Sequence, residues 1–186
     1  MIRGISMRKQ DILPSLSKHI QQHHYLDVTI QTANEEKIQC IPIAVSKEFV
    51  LVLNYLDFIA DGFYIIRIKD IVNLCYSDSC RYFETIVKKE GAMTFIQHTP
   101  PITLSSWNTV FCSLKKLDGI VIVDIGKENC VNVGKICNVL EDAVSMLCFS
   151  PTGEWDDQEW VETFDNITGV KFDNHYTNTF AKYLPK

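Results

Sequence analysis

Several things are missing from this chain, and each absence removes a class of function. No apolar run approaches the ~20 residues that a membrane-spanning helix needs. The opening stretch MIRGISMRKQDILPSL has neither the continuous apolar core nor the small-residue cleavage site of a secretory signal, so a cytoplasmic location is expected. The eight glycines are scattered and form neither Gly-x-Gly-x-x-Gly nor Gly-Lys-Ser/Thr, which argues against a phosphate-cradling or dinucleotide loop. Gly-x-Ser-x-Gly, a cysteine with a convincing histidine partner, and a carboxylate pair at a strand end are also missing. Seven cysteines, at 40, 75, 80, 112, 130, 137 and 148, contain no Cys-x-x-Cys pair. An odd count without framework spacing does not suit a secreted disulfide scaffold.

There is no basic stripe either. Residues 1–91 hold eleven Lys+Arg against eleven Asp+Glu, and residues 92–186 hold seven against twelve, so the whole net charge of −5 sits in the second half. A protein that holds nucleic acid mainly through phosphates gains most of its non-specific affinity from clustered cations. What remains, 46% hydrophobic and 22% charged residues, is the composition of an ordinary globular protein.

What is present is a pattern written twice. FYIIRIKDIVNLCY (63–76) matches EWVETFDNITGVKF (159–172) in its apolar skeleton: Tyr64 with Trp160, Ile68 with Phe164, Ile71 with Ile167, Leu74 with Val170, Tyr76 with Phe172. Upstream, Leu13, Leu16, Ile20, His23 and Leu26 recur at helical spacing as Leu104, Trp107, Phe111, Leu114 and Leu117. These predict amphipathic helices ending in Leu-Asp, the first with Pro14 in its opening turn, the second capped by Ser105 or Ser106. Strand signals follow in VTIQT, KIQCIPIAV and EFVLVLNYL, then in GIVIVDI, CVNVGKICNVL and AVSMLCF, separated by turns such as ANEE, IGKEN and PTGEWDD. Each copy closes with a helix, SCRYFETIVKKEG in the first and NHYTNTFAKYL in the second.

The expected fold is therefore mainly β with flanking helices (α+β): tandem duplicated small five-stranded β-barrels, each preceded and followed by an amphipathic helix. Closure is expected because it hides the apolar face and removes exposed edges. The expected domains are 1–91, a linker over 92–103 containing Pro100-Pro101, and 104–186. In RIKDIVNLCY and TFDNITGVKF a strand, a tight polar turn and a last strand follow one another. This resembles the Sm-like and Src-homology-type small β-barrels, and GKICNVLEDAVSML resembles their second and third strands. The resemblance implies an architecture and assigns no functional residue, because such barrels host unrelated functions.

Three places could carry chemistry. EWDDQEWVE crowds Asp156, Asp157, Glu159 and Glu162 around Trp155 and Trp160, and an aromatic beside a turn can anchor a partner. Trp155, Asp156, Asp157 and Glu159 are thus the candidate binding residues for a protein partner. HIQQHH puts His19 and His23 one turn apart, but the glutamate of a zinc-protease helix is missing and His23 falls on the apolar stripe, so neither metal nor cofactor is expected. Arg67, Lys69 and Arg81, interleaved with Tyr64, Tyr76 and Tyr82, are the alternative, a nucleic-acid surface.

The sequence thus leads to a non-enzymatic, cytoplasmic protein-binding or adaptor module. An RNA-binding pair of Sm-like barrels comes second and an enzyme with a site assembled from scattered residues third. An unpaired edge strand offers a route to a homodimer.

Overall fold

The computed structural model describes residues 9–31, 35–126 and 130–185. Residues 1–8, 32–34, which take in the first two letters of ANEE, 127–129 of IGKEN, and 186 lie outside them. Helix α1 (Lys9–Gln22) leads into β1 (Leu26–Gln31), β2 (Glu35–Val45), β3 (Phe49–Leu56) and β4 (Ile59–Arg67). A single 3-10 turn, Ile68–Asp70, then leads into β5 (Ile71–Cys75), α2 (Asp78–Lys89) and α3 (Ala92–Gln97). The second half runs through α4 (Trp107–Lys116), β6 (Ile120–Ile125), β7 (Cys130–Val139), β8 (Ala143–Cys148), β9 (Trp160–Thr163), β10 (Ile167–Phe172) and α5 (His175–Tyr183).

The ten strands form one antiparallel sheet in the order β5-β1-β2-β3-β4-β10-β6-β7-β8-β9. This overturns the expectation of two closed barrels with helices flanking each one. The sheet is open at β5 and β9, and the helices are few. β4 leaves its own half and pairs with β10, with Ile66, Ile65, Tyr64 and Phe63 opposite Gly169, Val170, Lys171 and Phe172. Pairing across that seam satisfies the edge that closure would otherwise have hidden. The two halves repeat one order, the last strand beside the first and then a meander.

Burial gives the physical reason for the open form. A small closed barrel buries only the inner face of each strand, whereas all five residues from Phe49 to Leu53, and the run from Phe63 to Ile66, are buried. Their side chains alternate between two cores. Phe49, Leu51, Leu53, Phe63 and Ile65 join a large core that includes Trp107 and Phe111 of α4 and Val121 and Val123 of β6. Val50, Val52, Tyr64 and Ile66 join a smaller core on the other face, covered by Ile12 and Leu16 of α1. Strands buried on both faces read as continuous apolar runs, which is why EFVLVLNYL and FYIIR do not alternate with polar letters.

Local chemistry fixes the ends of the elements. The helix around Pro14 begins at Lys9, so Pro14 lies inside α1 rather than in its first turn. His23 (φ 49°) and Asp118 (φ 51°) take left-handed conformations, and each follows its helix and turns the chain toward the next strand. Ser106 accepts from the Thr109 amide, and Thr109 accepts in return from the Ser106 amide, closing a capping box on α4. Ser77 caps α2 by accepting from the Cys80 amide. α2 stops at Lys89, and Gly91 (φ 97°) opens α3, so the expected linker is partly helical. Pro42 sits beside the irregularity in β2 between Pro42 and Ala44, where a strand tolerates its missing N–H. Among the described residues no helix is long and apolar enough to cross a membrane.

Candidate functional site

Three turns and one helix end meet where the two halves join. Ser46 Oγ accepts from the amides of Glu48 and Phe49, at 3.2 and 3.0 Å, and so shapes the β2–β3 turn. The Ile68 amide then donates to the Glu48 carbonyl at 2.7 Å, tying that turn to the one between β4 and β5. Arg67 adds the third turn: its Nε pairs with Asp70 and its Nη1 donates to the Asp165 carbonyl between β9 and β10, at 3.3 Å. Behind them, Phe49 meets Trp107 edge to face with centroids 4.6 Å apart, and Phe164 stacks on Phe111 at 5.8 Å.

These groups enclose a cavity of about 460 Å³ lined by Lys47, Glu48, Phe49, Arg67, Ile68, Lys69, Trp107, Phe164 and Asp165. Phe49 and Trp107 are buried and form its floor, Phe164 is half-buried, and Lys47, Lys69 and Asp165 are exposed at the rim. Three cations beside three aromatic rings, in a volume within the range of small-ligand sites, give this cavity the character of a ligand site. Arg67 is already held by Asp70 and Asp165, whereas Lys47 and Lys69 make no ion pair with another of the described residues.

The sequence-predicted residues are distributed unevenly around it. Arg67 and Lys69 come together here. Arg81 does not: it lies on α2, paired with Asp78 at 2.6 Å, with its guanidinium 5.3 Å from the centre of the Tyr76 ring. Trp155 is half-buried, its ring edge-on to Phe149 at 5.6 Å and its indole N–H donated to the Pro185 carbonyl at 2.9 Å. The Asp156 amide donates to the Cys148 carbonyl, while the carboxylates of Asp156, Asp157 and Glu159 stand exposed.

The histidines form a cluster of a different kind. Because His23 leaves the helix with positive φ, His19 faces His24 instead, with the two Nδ1 atoms 2.8 Å apart. One ring must donate and the other accept, so the pair holds a single proton between those atoms. His24 stacks on Tyr76 at 4.0 Å, and the Tyr76 hydroxyl donates to Glu84, which also takes the Tyr25 amide and Lys88. Burial lowers both imidazoles below their usual value; His24 lowers His19 further, while Glu84 opposes the shift at His24. Among the described residues no group of three or more His, Cys, Asp or Glu is placed to hold a metal ion.

On the opposite side of the seam, a partly buried carboxylate sits where β4, β10 and β6 run together. Asp124 of β6 lies beside Gly169 of β10. A Cβ at Gly169 would fall 2.8 Å from the Tyr64 hydroxyl, so the missing side chain is what lets the Tyr64 ring lie across the strand. Lys171 Nζ sits 3.6 Å from Asp124 Oδ1 and 4.6 Å from the Tyr64 ring centre. Burial raises the Asp124 carboxyl above its usual value, opposed by Lys171 and the Tyr64 hydroxyl. Its Oδ2 is buried without a hydrogen-bond partner among the described residues, a situation that costs about 1–3 kcal/mol.

Sequence reasoning missed Lys47, Phe49, Trp107 and Phe164, which are brought together only by tertiary packing. Asp124 and Lys171 did leave a signal, since a charged letter interrupts each of the apolar runs IVIVDI and ITGVKF. No known family matches the chain, and neither do curated proteins or solved structures.

Proposed function

We propose that this is a non-enzymatic binding protein whose seam cavity takes a planar anion: a nucleotide, or the base-and-phosphate unit of a single nucleic-acid strand. The observation that supports it is the convergence of Lys47, Arg67 and Lys69 with Phe49, Trp107 and Phe164 on one cavity of about 460 Å³. A base can lie against the Phe164 ring over an apolar floor, and sequence-tolerant stacking of this kind contributes about 1–3 kcal/mol per base. The rim lysines supply point charges for a phosphate. With a net charge of −5, a long duplex is a poor partner, whereas one or a few nucleotides need only local cations. Cys40, Cys75, Cys80, Cys112, Cys137 and Cys148 are free thiols, which suits a reducing compartment such as the cytoplasm.

This reading replaces the protein-partner site at Trp155 because the Trp155 indole is already engaged by Pro185. The test is a titration read by tryptophan fluorescence, since Trp107 forms part of the floor. Mononucleotides in one arm and short single-stranded oligonucleotides in the other separate a free nucleotide from a strand. At least one arm is expected to saturate, with affinity falling as salt rises. Lys47→Ala combined with Lys69→Ala should weaken it about tenfold, which corresponds to about 1.4 kcal/mol, while Trp155→Ala leaves it unchanged. Silence in both arms, or indifference to the double lysine variant, would remove the proposal.

A further inference from the structure

We propose that the seam is built to form once, inside one chain, and that the two outer edges of the sheet are shaped to refuse the same pairing with a second copy. The halves repeat one another in register. Val28 faces Leu74 as Val123 faces Val170, and the pairing slips just before Ile30 in one half and just before Ile125 in the other. Ile65 faces Leu51 as Val161 faces Ser145. The Ile68 amide donates to the Glu48 carbonyl as the Phe164 amide donates to the Asp142 carbonyl. The seam joins β4 of the first half to β10 of the second, so the strands at the outer edges, β9 and β5, are the counterparts of those two. A head-to-tail interface of this kind repeats into a ring or a filament when both surfaces stay complementary.

Here they do not stay complementary. Laid on the outer edges, the seam register sets Glu162 opposite Asn73, Val161 opposite Leu74 and Glu159 opposite Tyr76, where the seam has Ile66 with Gly169, Ile65 with Val170 and Phe63 with Phe172. Phe63 and Phe172 stack at 5.3 Å, and an exposed carboxylate stands at the place of Phe63. The Tyr64 ring occupies the space of a Cβ at Gly169, whereas Asn73 has a Cβ there, facing the larger ring of Trp160. Ile66 is buried, and Glu162 in its place accepts from Asn166 at 2.7 Å. β4 also runs for nine residues and brings Gly62 against the next turn, where a Cβ would fall 2.5 Å from the Asp173 carbonyl oxygen; β9 has four residues and starts after that point. Short, charged edges resist strand addition. The cation beside Tyr76, Arg81, is already paired with Asp78, so neither glutamate gains a free partner for its lost water.

The aromatic cavity follows the same division. Lys47, Arg67 and Lys69 have Glu141, Thr163 and Asp165 at the corresponding places of the second half, and Trp107 and Phe164 have Leu16 and Ile68 in the first. A junction between two chains would gather Glu141, Asp142 and Asp165 where the seam gathers cations. Among the described residues the seam alone therefore builds the cation-rich cavity.

The experiment is sedimentation velocity on the full chain over a wide range of concentration. Beside it runs a variant that restores the seam residues at the outer edges, Asn73→Gly, Glu159→Phe and Glu162→Ile together. The wild-type chain is expected to sediment as a monomer throughout, and the triple variant as a series of species that grows with concentration. Adding Val161→Lys to the triple variant should return it to the monomer. Val161 is 56% exposed where its counterpart Ile65 is fully buried, so the lysine meets a neighbour only if the edges pair. Glu159→Phe with Glu162→Ile, both on the β9 side, serves should the change in β5 prevent folding, and it should associate more weakly than the triple variant. Wild-type assembly that Val161→Lys dissolves, folded variants that all remain monomeric, or association of the variants that Val161→Lys leaves intact would each overturn the proposal.

Discussion

Gly169 shows how one missing side chain can build a site. The Tyr64 ring occupies the space a Cβ would need, so Gly169→Ala must displace either the ring or the β4–β10 pairing. A loss of about 1–3 kcal/mol is expected in denaturant unfolding; an unchanged midpoint would mean that the ring has room to move. Asp124 tests the opposite effect, a residue kept at some cost to stability. Its carboxyl is raised above 3.8 by burial, so the folded chain holds that proton more tightly than the unfolded chain. Stability therefore falls as pH rises from 3.8 through the folded value. Asp124→Asn should match or exceed the wild-type Tm at pH 7, and this advantage should vanish below pH 3.8; a clearly lower Tm at pH 7 would contradict it. The His19–His24 pair has the other sign. Both imidazoles are held below 6.5, so the unfolded chain binds more protons and stability drops on acidification below pH 6.5. Replacing both with glutamine should flatten the Tm profile in that range, and an identical slope would exclude the pair as its source.

Single elements carry identifiable shares of the fold. Among the described residues the helical cover of the smaller core comes from α1, through Ile12 and Leu16, so Leu16→Ala should cost about 3 kcal/mol. Ser106→Ala removes one side of the α4 capping box and should cost about 1 kcal/mol. Denaturant midpoints check both, and equal losses would show that α1 is not anchored as described. It was at this scale that the sequence was most legible. EFVLVLNYL reads as a strand from its letters and forms β3, Ser106 reads as a cap and caps α4, and the short turn in RIKDI reads as the break between β4 and β5. Pro14 misled because its fixed φ suits a first turn but is tolerated within α1. The barrels misled for a deeper reason: a continuous apolar run states that a strand is buried without saying whether the second covering layer is its own barrel, a helix or another half of the chain.

At the scale of the whole molecule the seam decides both stability and function. β4 pairs with β10, and the large core draws side chains from both halves, so the chain should unfold as one unit although its composition divides near residue 92. All three tryptophans, 107, 155 and 160, lie in the second half, so fluorescence reports that half while circular dichroism reports both. The two thermal transitions should coincide; separated midpoints would mean independent halves. The candidate cavity was not legible in the sequence because its turns lie far apart on either side of α4, with Arg67 and Asp165 98 positions from each other, and only Arg67 and Lys69 of its residues stood out as cations among aromatics. The most direct test of the central claim is an NMR titration of the isotopically labelled chain with a short single-stranded oligonucleotide or a mononucleotide, following amide shifts and the three indole N–H signals. Shifts are expected to concentrate at residues 47–49, 67–69 and 164–165 and at the Trp107 indole. Shifts centred on residues 154–160, or none at saturating ligand, would contradict it.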